Sequence, residues 1–367
     1  MIQRFLNLFI FCLFFLSWNW EKLSLKKESP KLSVKTHWIV DTVENEGLRR
    51  SFINNTSPLV TKKWVLSGNS IDGVKAYDKK SGRLIWSFSI PGGLSKPLVL
   101  NRDKLYFGGK DGFFYSLDLE TGSLEWKYYI SSELAGQPLI EEGRIYFLTE
   151  NHKLYSLDLK GRLVWLASHS ISNEAFMVKG NFSPIVIGNK IYFAFQDGFV
   201  KAFKKETADL LWKVKLSSQP ILSVLGKSKN CLLVPVFNEH LYCLNPENGK
   251  VMKKVEGGFA SIVDENSGRI YQSYKKTLLA YKIDNFQFLW KKKLKAQPAF
   301  APSLFKDYLV YGFPSLGELQ IRRAKDGSFV NEYLFGKGLA GFVSVDSKDN
   351  SLYFLSVDSY LHKISFY

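Results

Sequence analysis

Three aspartates, Asp78, Asp118 and Asp158, stand at regular intervals, the kind of spacing that general acid–base catalysis or cation binding could use. Each sits in the same local context, in YDKKSG, LDLETG and LDLKG. A carboxylate that recurs together with the turn around it reads as a turn acceptor, because Asp readily takes backbone N–H groups two or three residues on. The five histidines, His37, His152, His169, His240 and His362, are scattered, with no two-histidine spacing that suits a metal. No serine lies in a G-x-S-x-G elbow, no group of Asp, Asn and Glu has calcium-loop spacing, and no two cysteines are adjacent. The sequence therefore assigns no catalytic, cofactor-binding or metal-binding residue.

The elements that carry these aspartates repeat. LDLETGSLEW (Leu117–Trp126) returns as AYDKKSGRLIW, SLDLKGRLVW, AFKKETADLLW and AYKIDNFQFLW, ending at Trp86, Trp165, Trp212 and Trp290. Weaker copies end at Lys253 and Asn331. From Trp86 through Trp126, Trp165, Trp212, Lys253 and Trp290 to Asn331, successive ends fall 40, 39, 47, 41, 37 and 41 residues apart. Periods near 40 indicate one supersecondary unit per repeat.

Each unit opens on a Pro or small residue and a short apolar run such as KPLVL or SPIVI, followed by a second run such as KLYFGG. An Asp-Gly turn, a third run such as FFYSLD, and the Thr-Gly turn lead to the run that carries the Trp. Gly112 and Gly122 suit the positive φ of such turns, and period-2 alternation of β-branched and aromatic residues marks the runs as strands. Four short antiparallel strands per 40 residues make a propeller blade, so the expected fold is an all-β, eight-bladed propeller, with seven blades as the alternative. Seven units are complete. An eighth begins at Gly341 and lacks its fourth strand, which KTHWIVDT (Lys35–Thr42) is expected to supply from the N-terminal end, with Trp38 at the repeat position. Trp38, Trp86, Trp126, Trp165, Trp212 and Trp290 are then structural, each indole packing on the turn of a neighbouring blade and burying on the order of 200 Å².

The rest of the composition bounds the setting. Of 367 residues, 46% are apolar and 15% aromatic, ample for a core. The net charge is +16, carried as single lysines and pairs with no long basic run and no nucleic-acid reading element. Such a spread reads first as a solvated surface, with anionic membranes or acidic partners as the alternative. Residues 1–18 hold an apolar run, FLNLFIFCLFFLSW, of signal-peptide length, whose exit lacks a small-x-small cleavage pattern and leaves an uncleaved anchor open. The expected organisation is residues 1–18 as signal peptide or anchor, 19–34 as linker and 35–367 as one propeller. Cys231 and Cys243 fall on one sheet face about two positions out of register, which favours two buried thiols over a disulfide.

The pattern A/L-x-D-x-x-T-G-x-x-x-W is similar to the repeat of pyrroloquinoline-quinone-type propellers over Lys35 to Tyr367. Within that superfamily the chain resembles the BamB family of the bacterial outer-membrane β-barrel assembly machine, through its leader, its bare propeller and its closure by an N-terminal strand. The resemblance implies a non-enzymatic scaffold without cofactors, in the periplasm beside the outer membrane. It would bind the POTRA domains of a BamA-like partner and aid nascent outer-membrane proteins. In that family the connection after the corresponding blade carries a Leu-x-Leu-Arg-Gly segment that docks on those domains. Phe176-Met177-Val178-Lys179-Gly180 stands there in this chain, which makes Phe176, Val178, Lys179 and Gly180 the implied partner-binding residues. Lys179 cannot make the bidentate contact of Arg. The following connection, Lys215 to Gln219, also lacks the acidic pair of the family. Two alternatives remain: a PQQ-like scaffold of another envelope complex, and a quinone-dependent oxidoreductase, whose known examples are longer and often carry adjacent cysteines.

Overall fold

The computed structural model describes residues 32–43, 56–69, 71–94, 96–168, 182–221, 226–228, 231–298 and 300–367. Its strands form eight four-stranded antiparallel sheets, and the eight sheets are the blades of a propeller, the expected architecture. The first blade runs outward through Leu59–Val60, Trp64–Asn69, Gly73–Asp78 and Leu84–Ser89. The next six repeat that order and end on the outer strands Leu124–Tyr129, Leu163–Ser168, Leu210–Lys215, Val251–Glu256, Phe288–Lys293 and Phe329–Gly336.

The eighth blade takes three strands from the C-terminal end, Ser344–Asp346, Ser351–Leu355 and Tyr360–Phe366, and its outer strand, Val34–Asp41, from the N-terminal end. Val34 pairs with Phe366 and Asp41 with Tyr360, with a bulge between Thr36 and Trp38. At the seam, Leu59–Val60 lies beside Ser344–Asp346, the Ser344 hydroxyl donates to the Pro58 carbonyl, and Phe342 N donates to Ser57 Oγ at 2.8 Å. The N-terminal strand thus completes the eighth blade to four strands like the other seven, and each blade keeps its innermost and outermost strands as edges.

The core is distributed between blades. Middle strands such as Lys104–Gly108 and Phe113–Asp118 are buried on both faces because a neighbouring sheet packs against each. Leu66, Val74 and Ala76 of the first blade pack with Leu105, Phe107 and Leu117 of the second. Phe114 of the second blade stacks on Phe147 of the third, centroids 4.5 Å apart and planes 3° from parallel. The seam has its own wedge, Val65 and Tyr77 against Tyr353, Leu355 and Leu361. Edge residues of the outer strands are left in water.

One expectation is corrected here. Cys231 and Cys243 are joined as a disulfide, with Cα atoms 5.4 Å apart. Their register is offset as read from the sequence, Cys243 pairing with Leu233. Diagonal neighbours in an antiparallel pair usually stand farther apart, but this pair comes within the 4.4–6.8 Å that a disulfide spans. Both residues are buried, at 4% and 3% exposure, in the wedge between the fifth and sixth blades.

Candidate interaction surface

The repeat tryptophans are held in a common way. Each indole N–H donates to a carbonyl in the corresponding turn of the next blade: Trp38 to Lys79, Trp86 to Leu119, Trp126 to Leu159, Trp165 to Lys205, Trp212 to Pro246 and Trp290 to Ala324. The ring lies against the turn glycine. At Gly161, where φ is +79°, a Cβ would sit 2.6 Å from the Trp126 indole. Trp165 meets Ala208 instead, which takes the same left-handed conformation at φ 61°. Buried N–H groups that find acceptors and rings that fill the space over glycine make these tryptophans couplers of adjacent blades.

The recurring aspartates serve their own turns. Asp78 Oδ1 accepts from Ser81 N at 2.8 Å, Asp118 Oδ1 from Thr121 N at 2.9 Å, and Asp158 Oδ1 from Lys160 N and Arg162 N, both at 2.9 Å. The Ser81 hydroxyl and N–H hold Asp78 below the ordinary carboxylate pKa, and the Thr121 N–H does the same for Asp118. Carboxylates kept ionised by turn donors are poor general acids.

Two faces follow from the blade topology. On one, the first hairpin turns bond the Thr-Gly turns, as where Leu119 N donates to Asp103 O at 2.9 Å and Ala324 N to Asp307 O at 2.8 Å. On the other, the second hairpin turns bond the connections between blades: Lys110 N to Gly93 O at 2.9 Å, Glu150 N to Glu133 O at 2.9 Å, Phe237 N to Pro220 O at 3.0 Å. The segment with Phe176, Val178, Lys179 and Gly180 lies outside the described residues. It joins Ser168, the end of the third outer strand, to Phe182.

Phe182 is firmly seated. It is 4% exposed, its N–H donates to Ala135 O at 3.1 Å, and its backbone passes so close to Gly136 that a Cβ there would lie 2.5 Å away. Beside it, Ala135, Leu148, Glu150, His152, Phe195 and Gln196 line a small depression between the third and fourth blades.

The next connection holds a residue that reading the sequence missed. Lys215 to Gln219 contains no acid, but Glu239, from the second hairpin turn of the fifth blade, stands beside Ser217 and accepts from Tyr242 OH at 2.8 Å. Burial opposes its ionisation, yet Ser217, Tyr242 and the adjacent His240 outweigh it and hold its pKa below the usual glutamate value. Its signal in the sequence is its place in a second hairpin turn, since those turns share a face with the connections.

Among the described residues, no three or more His, Cys, Asp or Glu side chains are grouped to hold a metal ion. The faces instead offer loops and turns fixed on a rigid ring.

An eight-sheet ring tied by Asp, Thr-Gly and Trp repeats is a PQQ-type β-propeller. The sequence pattern of the family described as outer membrane protein assembly factor BamB matches residues 71–228 and 197–338. The chain belongs to that family. No curated protein matches it in sequence. Among solved structures, BamB from Moraxella catarrhalis superposes with a TM-score of 0.73 at 15% identity, over 91% of this chain and 100% of that one. The computationally designed Ika8 protein reaches 0.72 at 16% identity, over 87% and 97%. Quinohemoprotein alcohol dehydrogenase from Comamonas testosteroni reaches 0.70 at 12% identity, over 90% of this chain and 76% of that one. At such identities the likeness is one of fold, and the fold carries both scaffolds and enzymes.

Proposed function

We propose that this chain is a non-enzymatic scaffold of outer-membrane β-barrel assembly, working in the periplasm beside the outer membrane and binding the POTRA region of a BamA-like partner. The observation that carries this reading is membership of the BamB family across residues 71–338. The mechanism is positional. A ring closed by its own N-terminal strand holds the connections between blades at fixed mutual positions, so a partner gripping two of them is oriented without any chemistry.

Phe176 and Val178 are the apolar anchors of that grip, Lys179 its point charge, and Gly180 the last residue of the docking segment. Glu239 supplies on the neighbouring connection a carboxylate for a basic group of the partner. Nascent outer-membrane strands are a second cargo, suited to the unpaired edges of the outer strands.

The test is affinity capture from envelope extracts with the tagged chain, wild type against Phe176→Ala with Lys179→Glu. A BamA-like protein is recovered with the wild type and lost with the double variant, whose melting temperature stays unchanged. Failure to recover such a protein with the wild type overturns the function. Undiminished recovery by a folded double variant overturns the assignment of the segment.

A further inference from the structure

Lysines that look scattered along the chain are gathered by the fold. Residues 199–295, which span the outer half of the fourth blade and all of the fifth and sixth, hold 18 Lys and Arg against 8 Asp and Glu, +10 of the chain's +16. The concentration is sharpest on the outer wall. Of nine lysines on the eight outer strands, seven lie on these three adjacent blades: Lys213 and Lys215, Lys253 and Lys254, and Lys291, Lys292 and Lys293. The outer strands of the first, third and seventh blades, LIWSFS, LVWLAS and FVNEYLFG, have none.

Lysine on an exposed strand edge is a common guard against edge-to-edge pairing. Three edges that lack it show that this ring does not use that guard generally. Among the described residues Lys291 is paired, 2.6 Å from Glu256, whereas Lys213, Lys215, Lys254 and Lys293 stand exposed with no carboxylate within 4.0 Å. Lys213 lies directly opposite Lys201 across the outer hairpin of the fourth blade.

The same three strands each begin apolar and turn basic, as LLWKVK, VMKKVE and FLWKKK. Leu210, Leu211, Val251, Met252 and Phe288 are 49%, 45%, 41%, 54% and 53% exposed. A wall with apolar side chains along one margin and lysines along the other matches a bilayer surface, where the apolar margin enters below the headgroups and the lysines reach phosphates. The choice of cation agrees. All seven are lysines, point charges suited to mobile phosphates, where a fixed carboxylate partner would favour the planar fork of arginine.

We infer that the outer wall of the fourth to sixth blades docks on an anionic lipid bilayer. The inference is independent of the POTRA reading, because that partner binds the connection face and is absent from the assay.

The experiment is co-sedimentation of the full chain with phosphatidylcholine vesicles, and with vesicles in which about a third of the lipid is phosphatidylglycerol. Wild type is expected to partition to the anionic vesicles and to be released as salt rises. The variant Lys213→Glu/Lys254→Glu/Lys293→Glu should lose about a hundredfold or more in partition. The control Lys62→Glu/Lys160→Glu/Lys325→Glu makes the same charge change on exposed lysines of other blades and should keep most binding. Phe288→Ser should weaken partition severalfold while leaving the salt dependence intact. Thermal melts confirm that each variant is folded. Equal losses in the two triple variants, or none in the first, overturn the inference. Failure of the wild type to bind anionic vesicles also overturns it and leaves the wall to an acidic protein.

Discussion

Trp38 and Lys79, 41 positions apart in sequence, meet across the seam of the ring, where the indole Nε1 of Trp38 donates to the Lys79 carbonyl at 3.3 Å. The same carbonyl accepts from Lys363 Nζ at 3.0 Å. The ammonium of Lys79 bonds Asp346 and lies 3.4 Å from Asp349. One turn residue of the first blade thus ties together three strands of the eighth that come from opposite ends of the chain.

Lys79→Met should cost about 3 kcal/mol, because it leaves Asp346, whose side chain is 14% exposed, without its cation. Burial works against ionisation of Asp346, but Lys79 and the Lys348 N–H outweigh it and hold the carboxyl below its ordinary value of 3.8. A depressed carboxylate pKa stabilises the fold above 3.8, and that contribution is lost as pH falls through the folded value. Urea unfolding should therefore show a gap between wild type and Lys79→Met at pH 7 that narrows below 3.8. A gap constant with pH counts against the pair.

His362 offers a second pH effect of different origin. It is 3% exposed, stacked on Phe354 at 4.6 Å and 7°, and neither ring nitrogen has a hydrogen-bond partner. Burial lowers its pKa to about 4, with Asp358 opposing. The folded state keeps the ring neutral, so stability is full above the unfolded value of 6.5 and falls as pH drops from there toward 4. The expected loss between pH 7 and pH 5 is about 2 kcal/mol. His362→Phe should remove that slope and match or exceed wild type at pH 7. An unchanged slope would show that other groups set it.

Trp165 is the most buried of the repeat indoles, 8% exposed, with its N–H 2.9 Å from Lys205 O. Trp165→Ala should cost about 3–5 kcal/mol by loss of packing. Trp165→Phe keeps most of the area, loses the hydrogen bond and should cost less than half as much. Equal costs for the two variants would assign the role to the bond alone.

Deleting residues 1–41 exposes the edge of Tyr360–Phe366, which is otherwise paired along its length. The truncated chain should melt well below the full chain and elute from size exclusion as dimers or larger species, because an unpaired edge recruits another strand. A monomer of unchanged stability would mean that the outer strand of the eighth blade is dispensable.

The fold was legible because one local unit recurs. Trp126 with its Thr-Gly turn identifies a fourth strand, and a Trp at position 38, preceded by no front half of a unit, identifies the strand that closes the ring. What could not be read depends on pairs that sequence distance conceals. The Cys231–Cys243 bond turns on a diagonal approach across a twisted hairpin, where counting register suggests separation. Glu239 joins the Lys215–Gln219 connection only because second hairpin turns and connections share a face. The outer-wall lysines are short local clusters until three consecutive fourth strands stand side by side. The segment from Phe176 to Gly180 was legible by resemblance alone, since nothing in its own periodicity distinguishes it from any long loop.

Pairing Val34–Asp41 with Tyr360–Phe366 also sets the order of events during synthesis. The strand that leaves the ribosome first has no native partner until the last blade is made, so seven sheets can stack while the circle still gapes. Until that late encounter, the chain must keep Val34–Asp41 from settling on a wrong edge.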